Sequence, residues 1–379
     1  MLTRLALGLL AGLFLMQHAY AIEMQGKIYG SLRTALEYVH SNADGVDDVT
    51  GMRDAYSRLG ITGSAELNEH ITASFVYELG IDSTTGEIST LDFDGEGFYG
   101  GKESRISKVS LTTDYGTFSF GKMWSLYYNA VAYPVDRFST YYAGWSTFAL
   151  FRTSDTLAYK TPDLSNVHPL LGGFYFAGGV SFGKGDKDTS VSFGKPAEGT
   201  NNGTNTYTLT AGYSLGATGT SLNVGYENNG PRTEWADARG TPEFQKAGIA
   251  ASQNFGALHS SLDGLVLAGK YERVLEGTRT QTDEQLEQTY WADGAWGWNV
   301  YLGYTFWEDQ VTLKGMYGNV EGITNETMHF GIDYMPFDNL KFYAEYYQDE
   351  GGAFAPINFD FGHSTEGGSV ISSGLRLDF

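Results

Sequence analysis

The charged residues of this chain that fall in a regular phase suit electrostatics better than catalysis. Lys27, Arg58, Lys108 and Lys160 each take the polar phase of a stretch whose adjacent positions are apolar. Those neighbours are Ile28 for Lys27, Leu59 and Ile61 for Arg58, Val109 and Leu111 for Lys108, and Leu157 and Tyr159 for Lys160. Arg33 shares the face of Lys27. Residues 126–154 read LYYNAVAYPVDRFSTYYAGWSTFALFRTS, with a single carboxylate, Asp136, among Tyr127, Tyr128, Tyr133, Phe138, Trp145 and other rings. Charges fixed on a wall sort ions and orient dipoles, and rings can pack a loop or stack on a solute. Chemistry that breaks bonds has no such support. Cysteine is absent, and His40, His70, His168, His259, His329 and His363 do not fall at metal-ligand spacing. Serine and aspartate are plentiful without forming a nucleophile–base constellation. No catalytic residue, metal site or cofactor is expected. The acidic stretches 41–48 (SNADGVDD) and 91–98 (LDFDGEGF) alternate carboxylates, but neither has the ligand order of a dedicated calcium loop; they read as solvated surface.

The elements that must hold these residues are strands. The chain ends SVISSGLRLDF, where Ser373, Leu375, Leu377 and Phe379 share one face and Gly374, Arg376 and Asp378 the other. That is a period of two. The same grammar opens the chain, with Ile28, Leu32, Leu36 and Tyr38 alternating with Lys27, Ser31, Arg33 and Glu37. It recurs in 57–67, 71–79, 105–115, 117–125, 155–162, 171–182, 204–216, 220–229, 243–255, 262–274, 297–306, 310–320, 326–335, 339–349 and 368–379. This makes about sixteen strands, each long enough to cross a bilayer tilted. Short links (68–70, 114–116, 161–166, 216–219, 256–261, 308–310, 336–339) alternate with longer ones (40–56, 81–104, 126–154, 183–203, 230–242, 275–296, 350–367), and the link 321–325 is the exception. A closed barrel with one rim of turns and one of loops requires that alternation. Tyr115, Tyr213, Tyr226, Tyr304, Phe306, Tyr334, Tyr346 and Phe379 fall near strand ends on the apolar side, where rings suit the headgroup level.

Composition agrees. There are 50 glycines and 15% aromatics but only 8 prolines, and the formal charge of −21 argues against nucleic acid as a partner. A mean hydropathy of −0.26 looks soluble, yet a wide barrel reads the same, because only every second strand residue meets lipid. The N-terminus, with Arg4, apolar Leu5 to Met16 and then Ala19-Tyr20-Ala21, has the form of a secretory signal. Residues 1–21 are therefore expected to be removed, leaving 22–379, from Ile22, as one barrel domain.

The stretches KIYGSLRTALEYV, SRLGITGSAEL, YGTFSFGKMWS, PVDRF, LAYKTPDL, MHFGIDYMP and SSGLRLDF, in this order and spacing, resemble the general porins of the Gram-negative outer membrane. The resemblance covers essentially the whole mature chain. It implies an all-β transmembrane antiparallel barrel of sixteen strands whose third long loop folds inward. It also implies a homotrimer among outer-membrane lipid and lipopolysaccharide, with loop 81–104 as the latch over a neighbour, and passage of small hydrophilic solutes. Under it, PVDRF is the loop turn that reaches the pore axis, Asp136 is the constriction acid, and Lys27, Arg58, Lys108 and Lys160 form the facing basic ladder. Arg33, Tyr133 and Trp145 become candidate pore-lining residues, and Phe379 looks like the signal for assembly. Family loops often carry more than one acid here, so a single Asp136 puts a strong cation filter in doubt. The aromatic loop keeps an oligosaccharide-selective channel open as the second reading; a structural or adhesive barrel and an outer-membrane hydrolase are the remaining alternatives.

Overall fold

The computed structural model describes residues 24–88, 104–140, 142–165, 167–168, 171–182, 206–228, 245–277, 293–352 and 366–379. The expected signal (1–21), acidic stretch 91–98 and most of loop 81–104 lie outside the described residues, as does the side chain of Trp145.

The strands are β1 (Met24–Ser41), β2 (Val49–Asp54), β3 (Arg58–Asn68), β4 (Ile71–Gly80), β5 (Ile106–Thr113), β6 (Gly116–Trp124), β7 (Arg152–Lys160), β8 (Phe174–Ser181) and β9 (Thr206–Leu215). They continue as β10 (Thr220–Asn228), β11 (Gln245–Asn254), β12 (Leu265–Glu276), β13 (Trp296–Phe306), β14 (Val311–Val320), β15 (Asn325–Phe337), β16 (Leu340–Asp349) and β17 (Gly368–Asp378). Strands β2 and β3 both pair with β1, each strand from β3 onward pairs antiparallel with the next, and β17 returns to pair with β1, so the sheet has no free edge. The wall has sixteen strands because β2 and β3 are two segments of one. The long β1 pairs with β3 below, from Met24↔Ala65 to Ser31↔Arg58, and with β2 above, from Thr34↔Asp54 to Val39↔Val49. At the break, Tyr56 takes a left-handed φ of 65°. The Ser57 hydroxyl stands in for the missing ladder partner there, accepting from Arg33 N–H (2.8 Å) and donating to Arg33 C=O (3.2 Å). Segment β2 is an addition to the sequence reading, which placed 40–56 wholly in a loop; its sequence, VTGMRD, has no clean alternation to announce it.

Both described ends lie on the turn rim. Gly30 and Phe379 exchange backbone hydrogen bonds at 2.9 and 3.1 Å, closing the seam. The Phe379 ring then lies over Gly30, where an added Cβ would stand 2.3 Å from the ring. Any side chain at residue 30 would have to displace that ring.

The two faces invert the arrangement of a water-soluble protein. Leu32, Leu36, Ile61, Val109, Leu222, Val300, Phe330 and Ile371 are exposed on the outer face, while Glu37, Glu227, Lys246, Glu272, Asn299, His329 and Glu345 are buried on the inner one. Apolar side chains outside and paired charges inside are what a lipid-embedded barrel wall needs. No helix among the described residues is long and apolar enough to cross a membrane, which says nothing about strands.

Candidate functional site

Segment 125–151, between β6 and β7, is bound along its length to inner-face side chains. It starts with a single wide helical turn closed by Tyr133 N–H to Tyr128 C=O at 2.9 Å. Tyr127 and Val131 of this turn pack where β10 and β11 carry Gly225 and Gly248; a Cβ on Gly248 would lie 2.6 Å from the Tyr127 hydroxyl. The wall is bare of side chains there so that the loop can lie against it.

Four buried wall glutamates then hold the segment. Glu227 accepts from the Ser125 hydroxyl (3.3 Å) and is balanced by Lys246 (2.7 Å). Glu272 takes the Thr147 hydroxyl on both oxygens (3.0 and 2.9 Å) and pairs with Lys270. Glu345 accepts Ser139 N–H (2.7 Å), Thr140 N–H (3.0 Å) and the Thr140 hydroxyl (2.6 Å), with Lys314 at 2.9 Å and His329 at 3.2 Å. Glu37 accepts from the Tyr142 hydroxyl (2.5 Å) and pairs with Arg53 (2.7 Å). Phe138 stacks on His329 at 3.6 Å between centroids, and Asn299 donates to the Ser146 hydroxyl at 2.9 Å. A buried carboxylate is tolerable only with such partners, and charged acceptors make the strongest loop bonds.

Asp136 sits in this tethered segment, half-buried, with the Tyr128 hydroxyl donating to Oδ2 at 2.5 Å. Burial pushes its carboxyl above the usual carboxylate value, against the opposing pull of Tyr128, Lys270 and Arg33. Tyr133 is exposed, and neighbouring Arg137 is exposed too, its Nε donating to Pro134 C=O at 2.7 Å.

The predicted basic residues separate by height. Arg33 and Arg58 come together with three others: Arg105 just before β5, Arg152 at the start of β7, and Arg376 on β17. In the sheet register Arg33 faces Arg376 directly, and Arg58 faces Ser31, two residues from Arg33. Arg105 pairs with Glu78 at 2.9 Å, and Glu78 also accepts from Tyr29 at 3.0 Å. Burial first, then the charges of Arg152 and Arg58, lower the Arg105 guanidinium to about 10, so it remains ionised at neutral pH. Arg152 stands 5.2 Å over the Trp124 ring. Lys108 is half-buried on β5, opposite Val76 and Gly121. Lys27 lies exposed near the turn-side start of β1, and Lys160 ends β7 with its ammonium 5.1 Å from the Tyr175 ring. These two stand apart from the arginine group.

Arg376 was visible in the strand phase of the last eleven residues. Arg152 falls in the expected loop 126–154, whereas β7 begins there, and a bulge against β6 between Arg152 and Thr156 breaks the phase that would relate it to Lys160. Arg105 opens the expected stretch 105–115 but shares the parity of the outward Val109 and Leu111, so phase does not send it inward, where it is buried just before β5.

A family model for Gram-negative porins matches residues 6–353. The chain belongs to the Gram-negative porin family. No curated protein matches it. Among solved structures, Salmonella typhi OmpF in complex with daunomycin is similar at a TM-score of 0.69 and 14% identity, covering 93% of this chain and 97% of that one. OmpT, an outer membrane protein of Vibrio cholerae, in its trimer form gives 0.57 at 14% identity, over 94% and 99%. A Rhodopseudomonas blastica porin triple mutant gives 0.55 at 15% identity, over 94% and 100%. At these identities the structures speak for the fold alone. Family and fold together make this porin an outer-membrane channel for passive diffusion of small hydrophilic solutes.

Proposed function

We propose that this porin narrows its aqueous path between segment 125–151 and the arginine-bearing wall, with Asp136 on the loop side. The observation that carries this is the set of four buried glutamates, Glu37, Glu227, Glu272 and Glu345, all bound to that one segment. Fixed opposite charges across a narrow gap orient dipolar solutes and sort ions, with less screening than at the open surface. A channel family supports transport rather than catalysis, and an oligosaccharide-selective channel is not favoured by any relative found. The trimeric relative and the exposed apolar outer face support a homotrimer, with Ile22 as the mature N-terminus and Phe379 as the assembly signal.

Purified protein in a planar bilayer tests this reading. Large ohmic conductance at low voltage is expected, in steps of three if the trimer inserts as a unit. Asp136→Asn should lower cation relative to anion permeability with little change in total conductance, and neutralising Lys108 or Arg58 should do the reverse. A reversal potential indifferent to Asp136→Asn would remove that residue from the constriction. Maltose oligomers should produce only weak, size-dependent block; discrete saturable closures would restore the sugar-selective reading.

A further inference from the structure

The outer face carries a polar row at the loop-rim end of the seam where the barrel closes. Asp48 stands just before β2, and the register that sets Val49 against Val39 brings it beside His40 of β1. On the other side of β1, His40 is the direct partner of Ser369 on β17, and Ser369 is the direct partner of Gln348 on β16. These residues share the phase of the exposed Leu36, Tyr38 and Ile371, so they point away from the pore. An acid, a base, a hydroxyl and an amide therefore stand in line. The Asp48 carboxylate accepts from the Tyr38 hydroxyl and lies 2.6 Å from His40 Nδ1. With Nδ1 turned to Asp48, the far edge of the imidazole, Nε2, lies on the side of Ser369. Neither Nε2 nor the Ser369 hydroxyl makes a hydrogen bond among the described residues. Gln348 Oε1 accepts from the Tyr346 hydroxyl at 2.8 Å, which leaves its NH2 as the free end. A surface ion pair accounts for Asp48 and His40 alone, and not for a free hydroxyl and a free amide on the base's other side.

We propose that Ser369, His40 and Asp48 form a hydrolytic site for the carboxylic esters of membrane lipids, with Gln348 as the oxyanion donor. Asp48 is the positioning residue: it holds the proton on Nδ1 and so leaves Nε2 as the base. Nε2 takes the Ser369 proton as Oγ bonds to the ester carbonyl carbon, and the Gln348 NH2 meets the oxyanion that forms. Collapse breaks the bond to the lipid alcohol, which leaves with the proton from His40. Water then gives its proton to Nε2, attacks the acyl-serine and frees the fatty acid, and Oγ recovers the proton. One ester and one water become one acid and one alcohol. Directly opposed strand residues have Cβ atoms about 4.5–5.5 Å apart, a gap that a serine–histidine bond closes when substrate seats. The row lies beside Tyr38 and Tyr346 at the strand ends, the headgroup level that suits such rings, where lipid esters also sit. Below it the exposed Leu36, Ile371, Phe330 and Leu375 offer an apolar track for the acyl chain. The site is separate from the pore and does not depend on the constriction.

A fluorophosphonate, which phosphonylates an activated serine with loss of fluoride, is the first probe on the full chain purified in mild detergent. Label is expected on the peptide that carries Ser369 and none in Ser369→Ala. With His40→Gln the labelling rate should fall at least about a hundredfold. The second probe is dioleoylphosphatidylethanolamine in mixed micelles, with released oleate measured. Ser369→Ala should abolish release, and Gln348→Leu should lower kcat about a hundredfold. Asp48→Asn should lower kcat with KM unchanged, a split that a merely structural role in the loop would not produce. Ser373→Ala, which removes another exposed hydroxyl on the same strand face, should change neither readout. Every variant should keep wild-type bilayer conductance, so that loss of hydrolysis is distinguished from loss of the folded pore. No oleate release, label on a different serine, or equal release from Ser369→Ala overturns the site.

Discussion

Replacing Glu345 by glutamine tests the tether directly, because it keeps volume and removes charge. In the native wall one carboxylate oxygen serves Ser139 N–H (2.7 Å) and Lys314 (2.9 Å). The other serves Thr140 N–H (3.0 Å), its hydroxyl (2.6 Å) and His329 (3.2 Å). A glutamine has one acceptor oxygen. Whichever way the amide lies, its NH2 points at backbone N–H donors, and at least one loop bond is lost. A hydrogen bond to a charged group is worth about 1.5–3 kcal/mol, so the loop is loosened at this point by roughly 2–4 kcal/mol once the misplaced donor is included. At a factor of ten per ~1.4 kcal/mol, the detached population rises roughly thirtyfold to several hundredfold. The chain has no cysteine, so Tyr133→Cys, at an exposed site on the segment, takes a single spin label. Its spectrum should be immobile in the native background and show a mobile component with Glu345→Gln, and single-channel current should gain partial closures. Identical spectra and equally quiet traces would refute the claim that Glu345 holds the segment.

Because burial raises the Asp136 carboxyl, its charge is expected to disappear, as pH falls, above the ordinary carboxylate range near about 4. The selectivity difference between wild type and Asp136→Asn, measured by reversal potential, should therefore be full at neutral pH and vanish on acidification with its midpoint above that range. Gly30→Val puts a side chain where the Phe379 ring lies and should lower the temperature at which the barrel unfolds in gel-shift assays; an unchanged transition would show that the ring can move aside freely. Native mass in mild detergent should be that of a trimer, and a clean monomer would count against the assembly.

The wall was largely legible in the sequence because a barrel strand obeys one local rule. Alternation placed Leu36 outside and Glu37 inside without any knowledge of the partner strand, and the turn-rich links did the rest. What failed was whatever that rule does not govern. Segment β2 continues a wall strand across a break at Tyr56, and a period-two search stops at such a break. Arg105 opens the stretch 105–115 on the parity of its apolar residues, and the observed strand starts only at Ile106, so alternation misdirects it. The tethers were illegible for a different reason: Glu37, Glu227, Glu272 and Glu345 look alike as polar-phase acids, and Ser139 and Glu345 are joined only by the closed cylinder.

That cylinder also divides the inner charges by task. The four glutamates are consumed by the loop and by Arg53, Lys246, Lys270 and Lys314, so their charge is cancelled locally and contributes little field to the path. The arginines of β1, β3 and β17 are under-neutralised and contribute much of it. Mutations at the two sets should therefore separate. Removing a tether acid together with its basic partner, as in Glu227→Gln/Lys246→Met, should make the current noisy with reversal potential nearly constant, because a neutral pair is lost as a unit and geometry changes more than field. Removing Arg33 or Arg58 should shift reversal potential with the current still quiet, because neither holds the segment. A tether variant that shifts selectivity as strongly as Arg58→Gln, without added noise, would show that the glutamates face the path and that the division proposed for the wall is wrong.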